Sequence, residues 1–519
     1  MAGNAHILPC TSECISALLR LVIVIVRFFR GTGVKIMGIT TNEDKKPIAY
    51  GKTEMFGRKQ IFTSETVITA ANVAKVVEDA YNTHCENREA IEYLWNYYKG
   101  KQPALYRTRE LRDELTKKII ENRANEITSF KVGFIVGKPV EYISSVDGDK
   151  NSQAIASLND AMRLVGKHTK DKKLIEWCMI CGVGYRYVVQ NKDRFARTPF
   201  NLYTLDPRNT FVIRANDYTQ RVLAAVNYVT DDNNNVTFTV YTDDSVYTML
   251  KGSGKAKRTV NAFGQIPIIE YPANSARTGC FEIVLPLLDA INEFTSARNE
   301  AVEQFVQSLL VLYNCDVAEG TTADTIRQAG MILLKSVGDN KADVKNLSEQ
   351  LDQSQNQTLK DDMYNTVLQI VGMPSQSDGN TGDSSNNGAV ILKNGWQGAE
   401  TRAQDFEAEF KLPEMEMLNV VSVLCKGIKN GGFDFDPATI DVKFTRHSYD
   451  NLLSKSQTLT TMLANDKIHP KCAYEASGLF TDTEEAYQLG MKWFNDIQAK
   501  MAEQNKGDGE NKQDVKQNE

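Results

Sequence analysis

The sequence has few of the side-chain sets with which most enzymes do their chemistry. Only five histidines occur in 519 residues; they lie far apart and form no H-E-x-x-H pair. No G-x-S-x-G turn is present, and the phosphate-loop-like stretch 133–139 has three rather than four residues between its glycines. Asp434 and Asp436 are expected on a solvated strand edge. We therefore predict a protein that is not an enzyme, with no catalytic residue, no metal and no cofactor.

A surplus of positive charge is also missing. The chain has 66 acidic and 60 basic residues, which gives a net charge of −6. Tight non-specific binding to DNA needs an excess of Lys and Arg to displace counterions, so the chain is not expected to hold DNA firmly. The basic stretch from Arg107 to Arg123 also contains Glu110, Asp113 and Glu114, which favours an ion-paired helix surface over a DNA patch.

The nine cysteines are scattered and odd in number, which indicates reduced thiols rather than a disulfide framework. Cys178 and Cys181 form a C-x-x-C within an apolar, helix-like stretch. No second cysteine pair and no nearby histidine completes a zinc-binding set. We therefore expect these two thiols in a buried core.

No apolar run is long enough to cross a membrane. The stretch from Ile15 to Phe29 is mostly apolar but is interrupted by Arg20 and Arg27, and a spanning helix needs about 20 apolar residues. We expect residues 1–36 to be a dispensable, possibly non-native extension, with Met37 as the natural start. The alternative is a short amphipathic helix on a membrane surface, and hence a membrane-associated adaptor.

Hydrophobic periodicity predicts an α+β fold that is mainly α. Val236, Phe238 and Val240 alternate with threonines, which predicts an antiparallel meander within residues 200–271. Asp231 to Asn235 resembles the start of a calcium loop, but the missing glycine and closing glutamate favour a hairpin turn. Apolar residues at three- and four-residue spacing predict helices over 65–97, 114–136, 151–183, 281–313 and 351–371.

The longest periodic stretch follows a polar loop at 373–388. It predicts a helix near 36 residues long, kinked at Pro413. Its opposite face is acidic and is expected to be solvated. The less favoured, enzymatic alternative for the protein is a metal-dependent nuclease that uses dispersed acids such as Asp434 and Asp436. The apolar stripe comprises Ala389, Leu392, Trp396, Ala399, Ala403, Phe406 and Phe410. The acidic face comprises Glu400, Asp405, Glu407, Glu409, Glu414 and Glu416.

Several short segments occur in the order found in a known family. They are 122–126 (NRANE), 133–142 (GFIVGKPVEY), 181–185 (CGVGY), 207–213 (PRNTFVI), 288–299 (LDAINEFTSARN) and 384–393 (SSNNGAVILK). The ordered set resembles the portal, or head–tail connector, proteins of long-tailed double-stranded-DNA bacteriophages. Residues 1–36 depart from the family pattern.

The resemblance implies a homo-oligomeric ring of about twelve subunits at one capsid vertex of the virion. Double-stranded DNA would be packaged and ejected through its channel and bound only weakly. The implied partners are the terminase large subunit, a head-completion (adaptor) protein, scaffold and the major capsid protein. The ring would assemble in the host cytoplasm.

The resemblance also implies a division of the chain into wing, stem, clip and crown. The wing would be 37–281, the stem helices 281–313 and 351–372, the clip 314–350, the tunnel loop 373–388, the long kinked helix 389–425, the crown 426–501 and a disordered tail 502–519. The implied tunnel residues are Ser375, Gln376, Ser377, Asp378, Asn380, Thr381, Asp383, Ser384, Asn386 and Asn387. The implied clip contacts are Arg327, Lys335, Lys341 and Lys345.

Overall fold

The computed structural model describes residues 57–107, 116–145, 149–191, 197–261, 263–306, 309–313, 315–317, 334–336, 343–347, 353–375, 395–426, 433–446, 452–480 and 483–514. The described helices are α1 (Val73–Tyr98), α2 (Arg123–Val136), α3 (Asp149–Leu164), α4 (Lys167–Cys181), α5 (Leu285–Val306), α6 (Gln353–Val371), α7 (Trp396–Lys426), α8 (Leu452–Leu463), α9 (Pro470–Ser477) and α10 (Thr483–Asp514). The α+β, mainly helical fold class is confirmed. Residues 1–36 and the segment 15–29 lie outside the described residues.

The strands are short and almost all antiparallel. They are β1 (Phe62–Thr63), β2 (Glu141–Ser144), β3 (Val183–Gln190), β4 (Phe200–Leu205), β5 (Thr210–Ala215), β6 (Val222–Thr230), β7 (Val236–Tyr241), β8 (Ser245–Leu250), β9 (Ala256–Val260), β10 (Ile268–Pro272), β11 (Leu309–Tyr313), β12 (Cys315–Val317), β13 (Leu334–Ser336), β14 (Asp343–Leu347) and β15 (Ile440–Lys443).

The predicted meander is present as strands β5 to β9, with β1 added in parallel at the edge. Val236, Phe238 and Val240 are buried while Thr237 is exposed, as the alternation predicts. The turn after β6 is held by Asp231, whose Oδ1 accepts from the amides of Asn233 (3.0 Å) and Asn235 (2.7 Å), so the hairpin interpretation is confirmed. The meander does not extend over all of 200–271, because β4 and β10 pair with β3 in a separate sheet.

Helix α1 covers one face of the six-stranded sheet. Its buried residues Val73, Val77 and Tyr81 recur at four-residue spacing and share a core cluster with Phe211 and Phe238 of the sheet. The ring of Tyr81 meets that of Phe238 edge-on at 5.1 Å. The helix begins at Val73 rather than near Glu65, because the chain turns before it, where Asn72 Oδ1 accepts from the amide of Thr69 at 2.7 Å.

The predicted helix over 114–136 is shorter than expected. The stretch 114–136 is helical only from Arg123. Residues 117, 119 and 121 instead donate their backbone amides to side chains of α5 spaced four residues apart, which are Glu300 (2.9 Å), Ser296 (3.1 Å) and Asn292 (2.9 Å). Residues 116–122 are therefore not helical as predicted, because their backbone groups are satisfied by a neighbouring helix. Arg107 and Arg123 are ion-paired, with Glu300 (3.5 Å) and Glu126 (2.8 Å), and residues 108–115 lie outside the described residues.

The predicted helix over 151–183 is two helices, α3 and α4. They are separated at Gly166, which has a φ of 67°, a left-handed conformation that interrupts a helix. Cys178 and Cys181 lie buried near the end of α4, and their thiols donate to the carbonyls of Tyr271 (3.3 Å) and Trp177 (3.2 Å). Burial raises the pKa of the Cys181 thiol to about 12. These contacts confirm the core interpretation of the C-x-x-C.

The predicted helix 281–313 ends at Val306. Leu309 to Tyr313 form β11 instead, because this Leu- and Val-rich run finds an antiparallel partner in Asp343–Leu347. Cys315–Val317 pairs with Leu334–Ser336, so the β12–β13 pair lies in the chain between the two strands of the β11–β14 pair. We call these four strands, between α5 and α6, the ribbon.

Helix α7 runs through Pro413 without ending, and its residues Ala399, Ala403, Phe406 and Phe410 are buried as the stripe predicts. Its expected first positions, Ala389 and Leu392, lie outside the described residues. The helix is continuous from Trp396.

The C-terminal part contains α8, α9 and α10. Strand β15 pairs with β2, so residues 440–443 join the sheet edge at 141–144. The expectation of a disordered tail from residue 502 is wrong as far as Asp514, where α10 ends.

Candidate DNA-channel and partner-docking site

The predicted tunnel loop, 373–388, is described only at its start, residues 373–375, and the described chain resumes at Gly395. Of its predicted lining residues, Ser375 is described. Gln376, Ser377, Asp378, Asn380, Thr381, Asp383, Ser384, Asn386 and Asn387 lie outside the described residues.

The two ends of this segment lie side by side. Gly372, after α6, and Gly395, before α7, both have positive φ, at 68° and 78°. A Cβ added at Gly395 would lie 3.7 Å from the Cα of Pro374, so the chain departs and returns at nearly the same point. The buried Met373 anchors the first end in the core that contains α5 and α6.

A groove of about 350 Å³ lies beside these ends, between α2, α7 and the chain before α5. Phe130, Phe134 and Phe406 give it apolar walls. Lys131 lies within it, and burial together with the nearby positive charge of Arg402 lowers the pKa of this lysine. Arg402 also packs on Gly372, where an added Cβ would lie 2.9 Å from the arginine Cγ. The base of the tunnel segment is thus next to two cations and three aromatic rings.

Helices α5 and α6 are tied together through one carboxylate. Glu121, in the extended stretch before α2, accepts from Thr295 of α5 at 2.6 Å and pairs with Lys360 of α6 at 2.6 Å. Burial alone would raise the pKa of Glu121, but its hydrogen bonds with Lys360 and Thr295 outweigh it and the pKa is lowered. A direct bond between Arg298 and Gln357 at 2.8 Å adds a second connection between the two helices.

A buried ionic cluster joins α7 to the sheets and to α4. Glu414, next to Pro413, is fully buried and accepts from Tyr142 (2.6 Å), Tyr271 (2.8 Å) and Arg186 (3.0 Å). Lys167 completes the set at 2.9 Å. The expectation that Glu414 belongs to a solvated acidic face is wrong, because two cations and two hydroxyls satisfy its oxygens inside the core.

A second carboxylate, Asp171 of α4, balances the charges of this cluster. It bonds both to Arg186 and to Lys167, the latter at 2.6 Å, so two cations face two anions. Burial would raise the pKa of Glu414, but Lys167 and Arg186 oppose this strongly and hold the pKa below its usual value. Arg186 was a signal in the sequence, because a cation in the middle of an otherwise apolar strand needs a buried carboxylate.

Two of the four predicted clip contacts lie in the ribbon between α5 and α6. Lys335 is opposite Asp316 in the β12–β13 ladder, and Lys345 is opposite Val311 in the β11–β14 ladder. Arg327 and Lys341 lie outside the described residues. The two described lysines therefore sit in different ladders of the same ribbon.

The alternative acidic site is not assembled into a ligand set. Asp434 pairs with Lys426 at 3.3 Å, and Asp436 accepts from the amide of Ala438 at 3.0 Å as the cap of a short 3₁₀ turn. Within the described ranges, no cluster of three or more His, Cys, Asp or Glu side chains could hold a metal ion. None of the helices in the described ranges has both the length and the apolar character needed to span a membrane.

Residues 79–507 match the family model described as "Phage portal protein, SPP1 Gp6-like". Because this match covers most of the chain, the protein belongs to the phage portal protein family. Its role is that of a portal protein, which is structural and not enzymatic. No curated relative matches the chain.

The solved chains that this chain is similar to include chains of gene transfer agent (GTA) particles. One, titled "Neck of empty GTA particle computed with C6 symmetry", is 14% identical, with 69% of this chain and 90% of that chain covered and a TM-score of 0.41. Another, titled "Virion of native gene transfer agent (GTA) particle", is 12% identical, with 77% and 93% covered and a TM-score of 0.38. These likenesses concern the fold alone.

Proposed function

We propose that about twelve copies of this chain close into a ring at one vertex of a phage capsid, through which DNA is packaged and later ejected. The observation that carries this proposal is membership of the portal family over residues 79–507. The ring would belong to the virion, and would assemble in the host cytoplasm with scaffold and the major capsid protein.

Within this ring, we assign α5 and α6 to the stem around the channel and the ribbon between them to the clip. Two features support the assignment. The ribbon lies in the chain between α5 and α6, and both helices contact Glu121 through a hydrogen bond and an ion pair. A force on the ribbon is therefore carried by the two helices together. The chain outside 285–371 carries the sheets and the buried cluster at Glu414, which suits a wing and crown that hold the stem in place.

We assign the tunnel loop to residues 373–388, as a lining that DNA passes with little resistance. This stretch contains Asp378 and Asp383 and no Lys or Arg. A duplex sliding through a ring is retarded by every phosphate contact with a cation, because such contacts release counterions and bind strongly. An acidic or neutral lining therefore favours weak, transient contact with the double-stranded DNA.

The clip is proposed to dock first the terminase large subunit and later the head-completion protein. Lys335 and Lys345, with Arg327 and Lys341, give this part of the chain its basic side chains. Basic side chains suit a surface that exchanges acidic partners, because charge complementarity speeds association.

The ring itself is tested by electron microscopy of the purified full-length protein. Annular particles with a central hole are the expected result. Compact monomers at every concentration examined would overturn the proposal. A series of concentrations separates a weakly associating ring from a protein that does not assemble at all.

A further inference from the structure

A small cavity lies where the six-stranded and three-stranded sheets meet. Its volume is about 10 Å³, which is room for one water-sized species. Strands β3, β5 and β10, the chain just before β1, and Asn87 of α1 contribute to its walls. Its charged lining residues are Lys59, Arg214, Glu270 and Arg277. The cavity is therefore small, and three of the four charged groups around it are cations.

Glu270 of β10 is the one carboxylate among the described residues that line the cavity, and its oxygens are already occupied. Oε1 accepts from the hydroxyl of Tyr185 at 2.8 Å and from Arg277 at 2.6 Å. Oε2 accepts from Arg277 at 3.0 Å and from Arg214 at 2.8 Å. A carboxylate offers about four lone-pair sites in all, so Glu270 has none left for a further donor.

Both arginines keep one buried donor that has no partner. The Nε atoms of Arg214 and Arg277 are buried, and among the described residues neither finds a hydrogen-bond acceptor. Arg277 is only 6% exposed, so bulk water has little access to it. A buried donor without an acceptor is costly, more so on a charged group, and native proteins rarely leave one unmatched. Two such donors on side chains that line one small cavity require an acceptor between them.

Arg277 is held at the cavity by a tightly packed loop. Its φ of 58° is a left-handed conformation that few residues other than glycine adopt. The carbonyl oxygen of Arg277 lies against Gly182, where an added Cβ would be 2.1 Å from it. The carbonyl oxygen of Ala276 lies as closely against Gly57, at 2.2 Å from an added Cβ. The guanidinium is therefore a fixed donor, and a preorganised donor binds with less loss of freedom.

The charge around the cavity favours an anion over water. Arg214 and Arg277 share one carboxylate, which leaves an excess of one positive charge, while the ammonium of Lys59 is paired with an exposed glutamate at 2.6 Å. Within the described part of the chain, Glu416 of α7 also acts on Arg214, but it does not line the cavity and the two form no ion pair. A water molecule would bring O–H groups for which Glu270 has no free acceptor site, whereas a halide ion only accepts hydrogen bonds.

We propose that this cavity binds one small halide ion, such as chloride, between the Nε–H groups of Arg214 and Arg277. The ion would connect β5 of the six-stranded sheet to the loop after β10, and so fix the two sheets to each other. Arg214, whose side chain is 23% exposed, has the freedom to accommodate an ion slightly larger than water. The site lies within one subunit, so the inference does not depend on the proposed ring.

The test compares thermal unfolding of the full-length protein in sodium chloride and in sodium gluconate at one ionic strength, since gluconate is too large for the cavity. A ligand that binds only the folded state raises Tm with the logarithm of its concentration above Kd, and we expect this rise in chloride. Arg214→Lys keeps the positive charge but loses the Nε–H, and should need at least about tenfold more chloride for the same rise. Arg258→Lys, the same change at an exposed position of the same sheet, is the matched control and should respond as the wild type does.

Bromide locates the ion without any variant. Crystals of the wild type grown in sodium bromide should show an anomalous peak within hydrogen-bond distance of both Nε atoms. A water molecule in place of the peak would overturn the inference, as would equal Tm values in chloride and gluconate. A chloride response that Arg214→Lys retains in full would also overturn it, because the ion would then bind elsewhere. None of these results bears on whether the protein forms rings, so a failure here is distinct from a failure of the proposed function.

Discussion

Replacing Glu414 with Gln should destabilise the subunit more than most single substitutions. The glutamate takes part in four contacts of 2.6–3.0 Å with Tyr142, Tyr271, Arg186 and Lys167. Gln keeps the size of the side chain but removes its charge, so the two buried cations are left with Asp171 as their only carboxylate in the cluster. Removing one partner of a buried ionic network costs about 3–5 kcal/mol, and we expect the free energy of unfolding to fall by that amount.

The assay combines chemical denaturation with a local measurement. Urea titration followed by tryptophan fluorescence gives the change in stability, and hydrogen exchange of the α7 and β3 amides shows where it arises. Glu409→Gln is the matched control, since it makes the same chemical change at an exposed position on the same helix. We expect the control to stay within about 0.5 kcal/mol of the wild type. An effect of Glu414→Gln as small as that of the control would refute the reasoning.

The same cluster predicts a pH dependence with a definite sign. The pKa of Glu414 is lower in the folded protein than in the unfolded chain. Its contribution is therefore present above the unfolded pKa, at about 4.3, and is lost as the pH falls below it. The stability of the wild type should decrease between pH 5 and pH 3, and that of Glu414→Gln should decrease less steeply. Parallel pH profiles for the two proteins would contradict this account.

Three further changes test other parts of the structure. Gly182→Ala should cost about 2–3 kcal/mol in urea titrations, because Gly182 has a φ of 82° and a Cβ there would lie 2.1 Å from the carbonyl oxygen of Arg277; stability equal to the wild type would contradict the backbone geometry. Trp396→Ala should cost about 1–3 kcal/mol in the same titration, less than for a fully buried tryptophan, because the ring is half-buried. Asp378→Lys should slow DNA packaging in vitro with ring assembly unchanged, and an unaltered packaging rate would remove the tunnel assignment.

Local patterns in the sequence predicted those parts of the fold that are specified by neighbouring residues, such as a strand alternation or a helical stripe. The strand alternation at 236–240 and the turn at Asp231 were both predicted, because a hairpin is specified by its own residues. The buried stripe of α7 from Ala399 to Phe410 was predicted for the same reason. The burial of Cys178 and Cys181 was predicted because they lie in an apolar stretch and no further cysteine or histidine completes a zinc-binding set.

What the sequence did not reveal depends on distant partners. Glu414 lies four residues after the buried Phe410, and only contacts with Arg186 and Lys167, more than 200 residues earlier, explain how a carboxylate is accommodated there. The stretch 309–313 has apolar residues that suit a helix or a strand equally well, and its pairing with 343–347 decides between them. The implied tunnel and clip residues rested on resemblance, and all of them stay predictions.

The adjacent glycines at 372 and 395 have a consequence for how such a subunit can vary. Because α6 ends where α7 begins, residues can be added to or deleted from the intervening segment while both helices keep their positions. Doubling the length of a closed loop costs only about 0.6 kcal/mol in chain entropy. For the proposed tunnel loop, an insertion or deletion would therefore change the width of the channel while α6 and α7 stay in place.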